Sequence, residues 1–185
     1  WQIKPEPISK VELRLVIWET EDMRMMDTED TSDIYVTAFM DKKNKQSTDV
    51  HYRCQNGCGS FNWRIVFQLD VPSINNRLTL HCYDKDIFSK DDFISGAIID
   101  LYDLINIPKN LDVPISFTKE YVESVSKEEK KKYKSIEFLT DGDDKENNKF
   151  WVQCYQKNEQ SGRILCSLEF LPLWKAELNK VGKGR

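Results

Sequence analysis

Apolar and polar positions alternate with a period of two along most of this chain. Val11-Glu12-Leu13-Arg14-Leu15 starts the pattern, and Val16-Ile17-Trp18 turns it fully apolar, as in a strand that enters a sandwich core. Ile34-Tyr35-Val36-Thr37-Ala38-Phe39-Met40 reads as a second strand, rich in β-branched and aromatic residues. Asp41-Lys42-Lys43-Asn44 reads as a turn and 48–53 as a third strand. Gln55-Asn56-Gly57-Cys58-Gly59-Ser60 is a glycine-rich loop, and 61–69 an aromatic-rich strand. Further strands follow at 77–83, 95–101 and 162–171. Short strands at regular spacing, separated by turn residues, predict an all-β sandwich or barrel.

Residues 119–149 break that rhythm with a dense run of charge. The pattern predicts a helix over 121–133, with Val125 among its few apolar anchors, and a mobile acidic loop at 141–148. The region reads as an insertion before the last strands. The organisation is then a single domain at 1–175, with its insertion at about 119–149, and the start of a linker at 176–185.

The 185 residues carry a net charge of -4, which lacks the basic surplus of nucleic-acid binders, so no nucleic-acid partner is expected. No apolar run is long enough to span a bilayer, and Trp1-Gln2-Ile3-Lys4-Pro5 shows no secretory signal pattern. Five cysteines cannot all pair, and Cys82, Cys154 and Cys166 fall in apolar strands, as free thiols in a reducing compartment do. Cys54, Cys58, His51 and His81 fit no standard zinc spacing.

Two segments carry the chemistry. Residues 26–36 contain Asp27 and Asp33, and residues 83–93 contain Asp84, Asp86 and Asp92. Each segment lies at the end of a predicted strand. If both strands end on one edge of a sandwich, the five carboxylates converge. Two unit charges at 4 Å repel by about 4 kcal/mol at an effective dielectric near 20, so such a site protonates, splays or holds a cation. Many carboxylate oxygens in flexible loops favour calcium over magnesium, and the absence of His and Cys from both segments disfavours softer metals. An EF-hand is excluded, since its glycine and terminal glutamate are missing. Taken singly, each aspartate is an ordinary turn former. Asp22, Asp30 and Asp91 are read as only that.

Asp27 and Asp33, followed by Ile34-Tyr35-Val36, resemble the first calcium loop of C2 domains, with Ile34 where the family usually has Pro. Asp84, Asp86 and Asp92 resemble the third calcium loop, with Ser89 at the place of an auxiliary oxygen ligand. Ser32-Asp33-Ile34-Tyr35-Val36, Thr48-Asp49-Val50-His51-Tyr52-Arg53, Gly59-Ser60-Phe61-Asn62-Trp63-Arg64, Asp91-Asp92-Phe93 and Phe150-Trp151 resemble a late, membrane-proximal C2 domain of the ferlins. The resemblance implies an eight-stranded antiparallel β-sandwich of the permuted type II topology. In that order the strand feeding the first calcium loop comes first and 162–170 comes last. It also implies Ca2+ held by the five aspartates, with backbone carbonyls of Met26 and Lys85 assisting. For the longer protein it implies a tail anchor, a place on the cytosolic face of a membrane, and a role in vesicle fusion or membrane repair. The fragment itself is expected to be soluble.

Met25, Ile87 and Phe88 flank the aspartates as apolar residues among charges, where exposure at a membrane-facing tip is expected. Lys42, Lys43, Lys45 and Arg53 suggest a basic patch for anionic headgroups, against the plainer reading of a solvated face. The expected function is calcium-dependent binding to an anionic phospholipid membrane, with a protein of the fusion machinery as a further partner. The competing reading is a calcium-independent protein-interaction domain. No phosphate loop, nucleophile elbow or catalytic Cys-His spacing appears, so no enzyme is expected.

Overall fold

The structure is a computed structural model that describes residues 9–26, 31–106, 114–139 and 148–185. Its strands are β1 (Ser9–Glu21), β2 (Thr31–Phe39), β3 (Gln46–Ser47), β4 (His51–Gln55), β5 (Gly59–Val71), β6 (Arg77–Asp84), β7 (Asp92–Asp100), β8 (Ile115–Ser116), β9 (Ile136–Phe138), β10 (Lys149–Gln156) and β11 (Glu159–Pro172). Among the described residues, four short α-helices accompany them: α1 (Tyr102–Asn106), α2 (Lys119–Ser124), α3 (Lys127–Lys130) and α4 (Leu173–Leu178), with 3-10 turns at Lys42–Asn44 and Lys131–Tyr133.

The main ribbon runs β3-β2-β6-β7-β10-β11-β1-β5, with β4 continuing the β3 edge beside β2. Every pairing is antiparallel. The ribbon folds into two layers, β5-β1-β11-β10 and β7-β6-β2 with its interrupted edge. They are joined between β7 and β10 at one pair, Tyr155 and Gly96. The expected sandwich and its permuted order hold. β1 leads into the first aspartate segment, and β11 comes last, between β10 and β1.

Alternation explains the core. Leu13, Leu15 and Ile17 of β1 meet Leu78, Leu80 and Cys82 of β6 and Ile164, Cys166 and Leu168 of β11 in one buried cluster. Each such aliphatic side chain contributes about 1.5–3 kcal/mol by leaving water. The predicted third strand is split. Thr48 Oγ1 accepts from Val36 N at 3.0 Å and donates to Asp49 O at 2.7 Å, so beyond the backbone bond from Thr48 N to Val36 O at 2.9 Å a side chain interrupts the ladder before it resumes at His51. The predicted helix over 121–133 is also broken. Ser124 and Ser126 are weak helix formers, and Val125 between them is extended (φ -78°, ψ 162°) as α2 ends. Tyr133 then turns inward against Phe117, which also contacts Phe138 and Phe150, so the insertion is pinned to the main core of the sandwich by aromatic contacts. Most of the predicted acidic loop at 141–148 lies outside the described residues.

After Pro172 the chain folds back over the outer face of β1. Ala176 of α4 is buried, and Asn179 O accepts from Arg14 Nη2 at 2.7 Å. This cover buries the outward pair Arg14 and Glu12, whose ion pair measures 2.8 Å. Residues 180–185, read from sequence as part of a linker, reach the free edge of β5. Gly184 and Arg64 exchange both backbone hydrogen bonds at 2.9 Å, and Arg185 Nε donates to Phe61 O at 2.9 Å. Ser60 N donates to His51 Nδ1 at 3.0 Å and Gln46 Nε2 to Val66 O at 2.8 Å along the same edge.

The outer face of the other layer is aromatic. Tyr35 stacks on Tyr83, and His81 sets its ring edge-on to Phe39 and Phe93, each at 5.1 Å. Burial, helped by the charge of Lys45, holds the His81 imidazole below its ordinary value of 6.5. The unfolded chain therefore takes up a proton near that value while the folded one resists it, so stability falls as pH drops through 6.5. Between pH of about 7.5 and about 5.5, urea midpoints are expected to fall further for the wild type than for His81→Phe. Equal falls would show that His81 is not the group responsible.

Candidate functional site

The site is built at one end of β2, β6 and β7. Ile34 pairs with Asp84 and Asp84 with Asp92, so Asp33, Asp84 and Asp92 arrive at the same pole from three adjacent strands. Asp84 is buried and its Oδ1 accepts from Asp33 N at 2.7 Å. Asp33 Oδ1 in turn accepts from Arg53 N at 2.7 Å, and Asp33 O accepts from Lys85 N at 2.8 Å. Arg53 donates from a left-handed backbone (φ 53°), an uncommon conformation for a side-chain-bearing residue and one typical of functional sites. Asp86 is half-buried and Asp92 exposed, while Asp27 lies outside the described residues. Among the described residues, no three carboxylates are drawn together closely enough to enclose an ion. Two of them are nonetheless oriented by backbone amides, and the donor set is hard oxygen, which suits a calcium ion.

The neighbouring loops are locked together under this pole. Met23 is buried, and its Sδ accepts from Ser95 Oγ at 3.4 Å. Gly57, at φ +66°, lies so close that an added Cβ would sit 2.1 Å from Met23 N. Gly162, at φ +75°, lies on its other side, where a Cβ would meet Met23 Sδ at 2.6 Å. Met26 N donates to Ser32 Oγ at 2.9 Å.

Asp91, read from sequence as a turn former, is the most extensively held carboxylate of the loop. It accepts from Tyr35 Oη at 2.6 Å, from Lys85 Nζ at 3.0 and 3.1 Å, and from Asp86 N at 3.3 Å. The Tyr35 hydrogen bond, and after it Lys85 and the Asp86 amide, holds its carboxyl below the usual range. Burial, then Asp91 itself, pushes the Tyr35 phenol up. The sequence carried no local signal for this, since the partner Tyr35 is in another strand.

Ile87 and Phe88 stand at the loop tip, 83% and 100% exposed, while Met25 is half-buried. Ser89 lines a cleft of about 470 Å³ on the outer sheet face, together with Tyr35, Tyr83, Lys45 and Lys90. The four basic residues grouped by sequence do not form one patch. Arg53 is at the aspartate pole. Lys42 and Lys43 occupy a turn beyond the far end of β2, roughly 26 Å away at about 3.3 Å per residue. Lys45, 5.1 Å over the ring of Phe39, the last residue of β2, lies toward that far end as well. Cys54, Cys82, Cys154 and Cys166 are buried free thiols, and burial pushes all four up; Cys58 is free and exposed.

The family model described as C2 domain matches residues 11–116, more than half of the chain. The chain belongs to the C2 domain family. This C2 domain is 30% identical to mouse myoferlin and 29% identical to human myoferlin along its whole length, which makes it a C2 domain of the ferlin kind. It spans about 10% of the length of those relatives. Among solved structures it resembles the paired C2 domains of Extended-Synaptotagmin 2, with a TM-score of 0.53 and 19% identity, covering 93% of this chain and 45% of that one. It also resembles a C2 domain-containing protein from a putative elicitor-responsive gene, with a TM-score of 0.52 and 18% identity, covering 91% and 95%. At these identities the structural likeness speaks for the fold alone. Among the described residues of the C2 domain, no helix is long and apolar enough to cross a membrane.

Proposed function

We propose that this C2 domain binds calcium at its aspartate pole and, once loaded, docks that pole on an anionic phospholipid membrane. The observation that carries the reading is the meeting of Asp33, Asp84 and Asp92 at one pole, beside a loop tip that leaves Ile87 and Phe88 in water. Asp27, Asp33, Asp84, Asp86 and Asp92 would hold the ion, with carbonyls of Met26 and Lys85 and the hydroxyl of Ser89 as further oxygens. Calcium supplies positive charge and coordination positions that phosphate oxygens can fill. Without it, the carboxylates repel an anionic leaflet. Arg53, at the same pole, adds attraction worth about 1 kcal/mol for a basic side chain near such a surface. In a longer protein of the ferlin kind, the domain would act on the cytosolic face of a tail-anchored membrane protein in fusion or repair. It would there be a binding module without catalysis, open to a partner from the fusion machinery.

Ile87 and Phe88 enter the headgroup and acyl boundary, each worth about 1.5–3 kcal/mol if fully buried. Phe88→Ala is expected to weaken binding to phosphatidylserine vesicles by about 10- to 100-fold with calcium affinity in lipid-free solution unchanged. Phe88→Trp is expected to give a blue-shifted emission only with calcium and anionic vesicles together, after subtraction of the native tryptophans. An equal shift with neutral vesicles, or one without calcium, would point to a constitutive lipid binder or a protein-interaction domain instead.

A further inference from the structure

We propose that Asp91 is the positioning residue of the loop 84–92. Braced by Tyr35 from the sheet and by Lys85 within the loop, it fixes the loop before calcium arrives and holds the Lys85 ammonium out of the ion site. The inference rests on the calcium reading above.

Three attachments meet on this one carboxylate. The first comes from the rigid part of the fold. Tyr35 is in β2, opposite Tyr83 of β6 in register, and the two rings stack at 5.5 Å. Its hydroxyl donates to Asp91 Oδ2 at 2.6 Å, so the loop is tied to the sheet face and not only to itself. The second is the amide of Asp86, which donates to Asp91 Oδ1 at 3.3 Å and so fixes the backbone at a ligand position. The third is Lys85, whose Nζ lies 3.0 and 3.1 Å from the two oxygens. Charge-assisted bonds of this kind are about twice as strong as neutral ones.

The place of Lys85 gives the arrangement its second effect. It stands between Asp84 and Asp86, and its own ammonium is the nearest cation in sequence to those carboxylates. Swung inward, it would act as a counter-ion and compete with calcium. Paired with Asp91, it is held outside, and the pair adds no net charge to a crowded anionic pole. A loop ordered before the ion binds also loses less conformational freedom on binding.

The test uses the domain with Asp91→Ala, Tyr35→Phe, Lys85→Gln and the pairs Asp91→Ala with Lys85→Gln and Asp91→Ala with Tyr35→Phe. Calcium titration by calorimetry is set beside amide hydrogen exchange of residues 85–90 in the metal-free protein. Asp91→Ala is expected to weaken calcium binding by about 10-fold or more at unchanged stoichiometry, and to speed metal-free exchange in the loop. Tyr35→Phe is expected to do the same more weakly, and to add nothing on top of Asp91→Ala, because both remove one network. Lys85→Gln is expected to restore part of the affinity lost in Asp91→Ala, by removing the released competitor. A purely structural role for Asp91 predicts no such rescue. An Asp91→Ala domain with unchanged loop exchange, or an affinity loss that Lys85→Gln leaves untouched, overturns the proposal. Should Asp91→Ala not fold, Tyr35→Phe with wild-type exchange and affinity overturns it equally. A wild type that takes up no calcium removes the reading of the site. Its metal-free exchange data still decide whether Asp91 orders the loop.

Discussion

Replacing Asp84 and Asp86 together by Asn is expected to abolish calcium binding and leave the fold intact. Asp84 emerges from β6 between β2 and β7, so it is the carboxylate nearest the centre of the pole. Its Oδ1 accepts from Asp33 N, and the asparagine carbonyl oxygen can take over that bond. Alanine cannot, and Asp84→Ala should cost a further 1–3 kcal/mol, roughly the penalty of a buried donor left without its partner. The double Asn variant instead lowers the mutual repulsion of the pole, by up to about 4 kcal/mol for a unit pair at 4 Å in an effective dielectric near 20. Its melting temperature in chelator should therefore rise above the wild type's. Calorimetry decides the first half of the expectation, and a double variant that binds calcium with unchanged stoichiometry would show that the ion sits elsewhere.

Gly57→Ala is expected to be the most damaging single methyl group in the domain. The residue sits at φ +66°, where a Cβ is already unfavourable. The added carbon would also lie 2.1 Å from Met23 N and 2.3 Å from Met23 O, and both are backbone atoms that no rotamer change can move away. A loss of about 4 kcal/mol or more follows from combined strain and overpacking. Gly182→Ala is the control, since nothing lies within 4 Å of its added carbon. Thermal melts of the two variants side by side make the comparison. If Gly57→Ala melts within a degree or two of Gly182→Ala, the packing of the Gly57 loop on Met23 is not what the structure describes.

The strands of the sandwich were legible because alternation in residues 11–17 and the β-branched, aromatic run at 34–40 report burial directly. That the strands carrying Asp33, Asp84 and Asp92 reach one pole was legible too, because the alternating runs fix where β2, β6 and β7 begin and end. The rest depended on contacts that no local pattern encodes. The predicted helix breaks at the extended Val125, and beyond it Tyr133 packs on Phe117 from outside the insertion. Lys42 and Arg53 looked adjacent in sequence, but the chain between them climbs from one pole to the other. Asp91 looked like a turn residue because its partner Tyr35 is in another strand. Sequence spacing reports neighbours along an element, and these three features arise across elements.

An exposed sheet edge is a template on which another chain can build, and the edge of β5 is occupied at Ser60, Phe61, Arg64 and Val66. Between residues 60 and 66 its outward groups are taken by His51, Arg185, Gly184 and Gln46, two of them from the returning C-terminal segment. A visiting strand would have to displace an imidazole, a guanidinium and a backbone pair at once before its first rung could form. Copies of the domain crowded together therefore meet at an edge with few open hydrogen-bonding groups along that stretch, and colloidal stability at high local density becomes a property of the tail as much as of the sandwich.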